Sequence, residues 1–333
     1  MSGPTLPAMI RTSRHRRLLW PVALLALAGC SGPQSALDPA GVEAEEIATL
    51  FWQMLAGAGV IWTLVLGTAI YASRSDQRLW SERRALNMIL WAGAIVPTLV
   101  LAGLLAHGLR LMPLLRAEGS DLRIEVAGER FWWRVTYLRD GLPSVVTANE
   151  LRLPAGADVE VVLTTTDIIH SFWIPSISGK TDMIPGRTNR QMLRPTRPGI
   201  YRGACAEFCG SSHALMAMSA EVMAPDAFAR WLEAEARPAV PSGARGEQVF
   251  LQNGCGACHA VRGISDGAAI GPDLTHLGSR HTVGAGILDN TPENIAHFVA
   301  HTEALKPGVR MPPYDMLPED DLVALATWLG SLR

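Results

Sequence analysis

Two uncharged apolar runs dominate the first third of the chain: Leu50–Tyr71, 22 residues long, and Leu86–Leu109, 24 residues long, whose only strongly polar members are Asn87 and His107. About 20 residues at ~1.5 Å rise cross a ~30 Å hydrocarbon core, so each run predicts a membrane-spanning helix and the short connection predicts a hairpin. Two buried core helices are the other reading, which these lengths disfavour. Only 18% of the 333 residues are charged and 48% are hydrophobic, against about 25% charged in soluble domains. A net charge of −2 without a basic patch excludes a nucleic-acid partner.

The connection carries Arg74, Arg78, Arg83 and Arg84 against Asp76 and Glu82, which places it in the cytoplasm and both outer ends in the periplasm. Trp80 and Trp91 fit an interfacial aromatic belt. Residues 1–29 read as an export signal: a basic stretch from Arg11 to Arg17, an apolar run from Leu18 to Ala28, then Leu27-Ala28-Gly29-Cys30. That last tetrapeptide resembles a bacterial lipobox, which would make Cys30 the lipidated first residue of the mature chain. An ordinary cleaved signal is the alternative.

Beyond the hairpin, assigned to 48–112, short runs rich in Val, Ile, Thr and aromatics are broken by Gly and Pro from Asp121 to Met223. Leu122, Ile124 and Val126 alternate with Arg123, Glu125 and Ala127, as a strand with one wet face requires. The stretch 118–225 is therefore expected to be an all-β sandwich or small barrel. A short helix and a Pro/Gly/Ser linker at 226–243 lead into a helical domain at 244–333. This last domain is expected to close with a helix from Pro318 to Leu332, with Leu322, Leu325, Ala326 and Leu329 on one face.

Two ligand patterns carry the chemistry. The segment CAEFCGSSHALM spaces Cys205, Cys209, His213 and Met216 as C-x3-C-x3-H-x2-M, and Cys255, Cys258 and His259 form C-x-x-C-H. Two thiolates, an imidazole and a thioether are soft donors suited to copper. A second thiolate is more than a mononuclear blue-copper site needs, and two sulfurs that each bridge two ions would make a dicopper centre. A disulfide between Cys205 and Cys209, or a zinc site, is the alternative. C-x-x-C-H is the attachment pattern for c-type haem, with His259 as an axial ligand. Met311 in KPGVRMPPYDML is the expected second axial ligand, ahead of His276, His281, His297 and His301, for which surface or capping roles are expected. Met218 and Met223 read as core thioethers.

The segments GERFWWRVTY, DIIHSFWIPSISGKTDMIPGRTN and PGIYRGACAEFCGSSHALM, following two spans, resemble subunit 2 of the cytochrome c oxidase family. The resemblance covers Gly128 to Met218. It implies a cupredoxin-like domain holding a dinuclear CuA centre through His170, Cys205, the carbonyl of Glu207, Cys209, His213 and Met216, with His170 supplied by a connection before the cysteine loop. It further implies a magnesium ion near the Glu207 carboxylate at the interface with the catalytic subunit, and Asp167 and Asp182 on the docking surface. Turn capping by Asp167 and a pair between Asp182 and Lys180 are the local alternatives. Two positions depart from the family. Phe131 stands where relatives begin a run of three aromatics with the Trp that receives electrons from outside, and Leu90 stands where many relatives carry an acidic residue.

The expected architecture is a multidomain membrane protein: a two-helix transmembrane hairpin, an all-β cupredoxin-like domain and an all-α class I cytochrome c domain. The expected function is the electron-input subunit of a haem-copper terminal oxidase of the inner membrane. A covalent haem c would be fed by a periplasmic cytochrome c or a quinol-oxidising complex, and the partners would be catalytic subunit 1 and subunit 3. A periplasmic copper-binding or assembly protein is the alternative. Nitrous oxide reductase shares the dicopper pattern but not the two spans, and a quinol oxidase would lack Cys205 and Cys209. With one cysteine assigned to the anchor, two to copper and two to haem, none of the five is left for a structural disulfide.

Overall fold

The computed structural model describes residues 29–75, 81–115, 120 and 122–333. The export signal up to Ala28, together with Asp76, Arg78, Trp80 and Asp121, lies outside the described residues. The first span lies within helix α1 (Val42–Arg74). The second is α2 (Glu82–Leu90), a π-helical turn at Trp91–Ile95 and α3 (Val96–Leu115). Leu55, Val60, Trp62, Leu66, Ile89, Leu99 and Leu105 are exposed on these helices, as lipid-facing side chains are. Leu90 is among the exposed apolar residues of the second span.

The helix begins eight residues before the apolar run because its first turn is anchored on the β domain. Glu43 is buried and its carboxylate takes Arg194 at 3.1 Å and the Arg194 amide at 3.2 Å. The amides of Ala40 and Val42 donate to the carbonyls of Ser176 and Arg194 at 2.6 and 3.0 Å. Gly41 passes so close to the Ile177 carbonyl that a Cβ would collide with it. Burial pushes the Glu43 carboxyl above its usual value, against the opposing hydrogen bonds and the Arg194 charge. Sequence periodicity holds no trace of this contact, because it joins residues 151 positions apart.

Ten strands form two five-stranded sheets. The first runs β3 (Leu142–Ala148), β2 (Trp132–Arg139), β1 (Leu122–Glu129), β5 (Val159–Thr165), β8 (Asn189–Leu193); the second runs β4 (Glu150–Pro154), β10 (Ala217–Met223), β9 (Gly199–Cys205), β6 (His170–Trp173), β7 (Thr181–Met183). Pairing is antiparallel except for β1 with β5 and β10 with β4. The predicted alternation is realised: Ile124 and Val126 are fully buried with Trp133, Val135, Tyr137, Val161 and Leu163, while Arg123 and Glu125 face out. Met218 belongs to this core and Met223 packs against it. Helix α4 (Pro225–Glu235) closes one end through Phe228 and Trp231, the latter edge-on to Tyr137 at 5.1 Å between centroids.

The C-terminal domain packs α5 (Arg245–Gln252), α6 (Pro292–Ala300), the single turn α7 (Thr302–Leu305) and α8 (Glu319–Ser331) around Val249, Phe250, Ile295, Leu325, Trp328 and Leu329. Pro318 is the cap of α8 and not its first residue, and Trp328 adds to the buried face while Leu322 reaches only its margin. A Cβ on Gly246 would strike the Ala324 carbonyl, so this glycine permits the close crossing of α5 and α8.

Glu43→Ala leaves the Arg194 amide and part of its guanidinium without a buried acceptor. Thermal unfolding of the detergent-solubilised chain should show a loss of about 1–3 kcal/mol.

Candidate metal and haem sites

The end of β9 and the loop that follows place five of the six copper-donor candidates. Cys205 is the last residue of β9, its amide bonded to the Met216 carbonyl at 3.0 Å, which pins the base of the loop. Cys209 follows in the loop, His213 opens a 3-10 turn and Met216 lies just before β10. The sixth, His170, is the first residue of β6 and not part of a connection as the sequence suggested, because the 167–169 turn ends one residue before it. His170, Cys205 and Cys209 are buried and their donor atoms lie within 4.8 Å of one another.

The donors fall into two flanking groups. Cys205 Sγ stands 3.7 Å from His170 Nδ1 and 3.2 Å from the Glu207 carbonyl oxygen. Cys209 Sγ stands 3.6 Å from His213 Nδ1 and 3.8 Å from Met216 Sδ. Each sulfur thus has its own imidazole and its own weak donor. Both cysteines are free thiols, so the disulfide alternative is not what the structure contains. They titrate as one pair: a hydrogen bond from Cys209 draws Cys205 far below the usual thiol range against desolvation, helped by His170 and by backbone hydrogen bonds at Glu207 and Ser171, while Cys209 is raised.

Asp167 holds His170 in place. Its Oδ1 lies 2.9 Å from His170 Nε2 and accepts the Ile168 amide at 2.7 Å, and its Oδ2 accepts the Arg130 amide at 2.8 Å. Asp167 therefore caps its turn and also fixes the ring so that Nδ1 points at the sulfurs. Burial raises the Asp167 carboxyl, but the bonds from His170, Ile168 and Arg130 outweigh it and the net shift is downward. Burial likewise draws His170 down, and Cys205 and Asp167 outweigh it upward. Gly128 supplies the space: a Cβ there would stand 2.8 Å from His170 Cδ2. Glu207 and Asp182 are exposed.

A second site is a cavity of about 210 Å³ in the C-terminal domain. Cys255, Cys258, His259 and Met311 line it, and none of His276, His281, His297 and His301 does. His297 and His301 are exposed and meet edge to face, whereas His276 is buried with Nε2 3.0 Å from the Arg237 carbonyl, so its role is interior and not superficial. His259 Nδ1 lies 2.8 Å from the Pro272 carbonyl and donates to it, leaving Nε2 as the free donor atom. Burial lowers the His259 pKa despite this bond, favouring the neutral ring that a metal requires. Gly271 lets the ring lie flat, since a Cβ there would stand 2.7 Å from His259 Cε1.

The cavity continues onto the β domain. Glu129, Arg130, Phe131, Trp132, Asn149 and Asp167 form part of its wall. Phe131 is 2% exposed, and its ring lies 3.1 Å from where a Cβ on Gly210 would stand, beside Cys209. The position that departs from the family is therefore an interior contact between the two sites.

Comparison with known proteins follows these features. The family model described as cytochrome C oxidase subunit II, periplasmic domain, matches residues 125–223, and the model described as cytochrome c matches residues 243–333. Cytochrome c oxidase subunit 2 of Alkalihalophilus pseudofirmus is 37% identical over 218 residues, covering 64% of this chain and 62% of that protein. The Bacillus subtilis protein of the same name is 28% identical over 357 aligned positions, covering 96% of this chain and 98% of its own length. That of Ctenocephalides felis is 30% identical over 163 residues, covering 43% of this chain and 71% of its own. The chain belongs to the cytochrome c oxidase subunit 2 family.

A subunit 2 of this kind implies a CuA copper centre, and its cytochrome c domain implies a haem. Both donor sets fit. Two thiols, two imidazoles, one thioether and one carbonyl converge without a competing carboxylate, which suits soft copper better than a hard cation. In the apolar cavity, Arg280 Nε and Thr282 Oγ1 are buried without a partner, and both residues sit on the wall, where the carboxylates of a haem would satisfy them. The segment GPDLTHLGSR, Gly271 to Arg280, resembles the haem-lining loop of c-type cytochromes, so its ends were legible, whereas Thr282 and Gly128 had no signal of their own. A glycine needed for its missing Cβ has no sequence signal without the tertiary neighbour.

Gly128→Ala should displace the His170 ring while leaving both thiols in place. Copper titration of the purified protein should show affinity lower by roughly 10–100-fold, as for other residues that orient a metal ligand.

Proposed function

We propose that this subunit 2 is the electron-input subunit of a haem-copper terminal oxidase that carries its own cytochrome. The observation that carries the reading is the shared wall, where Phe131 and Trp132 of the β domain line the same cavity as Cys255, Cys258 and His259. A copper-delivery protein has no need of a haem cavity against its metal loop. When bound, the haem and the copper pair supply reversible one-electron states, through which electrons pass on to the catalytic subunit that reduces oxygen to water.

The protein's own residues set the conditions. Cys255 and Cys258 would attach the haem covalently, His259 and Met311 would bind its iron, and Arg280 with Thr282 would hold its carboxylates. His/Met ligation gives a comparatively high potential, suited to feeding a copper acceptor. Cys205, Cys209, His170, His213, Met216 and the Glu207 carbonyl would hold the copper pair. A rigid β scaffold limits rearrangement between redox states, and a proton stays on neither thiol once metal is bound.

The hairpin would seat the subunit beside catalytic subunit 1, with subunit 3 in the same complex, both soluble domains in the periplasm and a magnesium ion shared at the exposed Glu207 carboxylate. The donor would be a periplasmic cytochrome c or a quinol-oxidising complex. Residues 1–29 would be removed on export, with Cys30 exposed and available to a lipid.

Cys209→Ser in the assembled membrane complex should abolish the near-infrared copper absorbance and oxygen uptake while the reduced c-type haem band persists. Oxygen uptake that survived without the copper band would sink the reading. Intact-mass measurement of the mature chain checks the covalent haem and the lipid at Cys30 together.

A further inference from the structure

Within the wider contact between the two soluble domains, one short strap, Lys306 to Met311, joins the copper-donor loop to the cavity wall. Lys306 is 3% exposed, yet its ammonium meets no carboxylate among the described residues. It donates instead to the carbonyls of Leu215, at 3.0 Å, and Gly284, at 2.5 Å. Leu215 lies between His213 and Met216 in the copper-donor loop, and Gly284 lines the haem cavity, as does Lys306 itself. The next residue of the strap is held from the same loop: the hydroxyls of Ser211 and Ser212 both donate to the Pro307 carbonyl, at 2.8 and 2.7 Å. Gly308 follows, packed so tightly that a Cβ would stand 2.5 Å from Ser211 Oγ, and Val309 rests against the core of the β domain. Met311 ends the strap on the cavity wall. Behind it, the Ala217 amide donates to the Ala285 carbonyl at 3.0 Å and Arg202 to the Gly286 carbonyl at 3.2 Å.

A buried ammonium satisfied only by carbonyls is costly to place and strongly directional once placed. Moving the C-terminal domain away would strip Lys306 of the Leu215 carbonyl and Pro307 of both hydroxyls at once. We infer that Lys306, with Ser211 and Ser212, is a clasp that fixes the Met311-bearing strap to the copper-donor loop, so that the two donor sets move as one body and electron exchange between them does not wait for domain docking. Lys306 is a positioning residue: it touches the loop beside His213 and Met216 and neither of those residues. The inference rests on the electron-transfer reading above. The step it governs moves one electron from the reduced haem iron to the copper pair, oxidising the first and reducing the second, with no proton or bond exchanged.

The test uses the full, metal-loaded complex, with a ruthenium photoreductant to reduce the haem and absorbance to follow haem reoxidation and copper reduction. In the unaltered protein the rate should be independent of added glycerol. Lys306→Met should slow it by about tenfold or more and make it fall with viscosity, as a step gated by μs–ms domain motion does. Hydrogen exchange should rise together in 211–215 and 307–311 and stay unchanged in the β-domain core. The double variant Ser211→Ala, Ser212→Ala leaves Lys306 in place and should give the same viscosity dependence more weakly, which keeps the test open if Lys306→Met does not fold. A viscosity-dependent rate in the unaltered protein, or unchanged rate and exchange in both variants, overturns the clasp. Failure of haem electrons to reach copper in the unaltered protein overturns the electron-transfer reading itself.

Discussion

Two thiols held side by side out of water repel each other once both ionise, and the donors around Cys205 and Cys209 suit that pair to a bound cation. Each sulfur has an imidazole and a weak donor of its own, and the Cys205 amide ties the loop base to the Met216 carbonyl. From this constraint the rest of the β domain follows. The turn at Asp167 orients His170, Gly128 leaves room for that ring, and the core of both sheets locks β6 and β9 in register. The metal loop is rigid because its neighbours are.

The C-terminal domain extends the same logic across a domain boundary. A flexible linker would let a tethered cytochrome search for its docking place. Here hydrogen bonds from Arg262 to the Val146 carbonyl and from Arg152 to the Ser279 carbonyl, at 3.1 and 3.0 Å, add to the strap contacts and spread the interface along one side of the sandwich. His281 bridges as well, its Nε2 3.0 Å from Glu221 Oε2. Phe131 is buried within this contact and lines the cavity beside the haem-site residues.

Much of the layout was legible in the sequence because it is written in local patterns. Alternation of Ile124 and Val126 with charged neighbours marks a strand, the spacing of Cys205, Cys209, His213 and Met216 marks a donor loop, and the length of the apolar runs marks the spans. What could not be read arises between residues far apart in the chain. Glu43 looks like part of an ordinary acidic first turn until Arg194 is placed beside it, and Lys306 looks like a solvated loop lysine until Leu215 and Gly284 close over it. His276 was misplaced for the same reason, since its burial depends on the Arg237 carbonyl from the linker.

The anchoring of α1 through Glu43 bears on how high the sandwich stands above the bilayer. Because the helix is continuous from Val42 into its apolar stretch at Leu50, the offset is a fixed post of about 12 Å, eight residues at ~1.5 Å each, and not a slack tether. Tilting of that post would swing the whole sandwich by the same angle, so the orientation of the helix and the aim of the donor loop are mechanically linked.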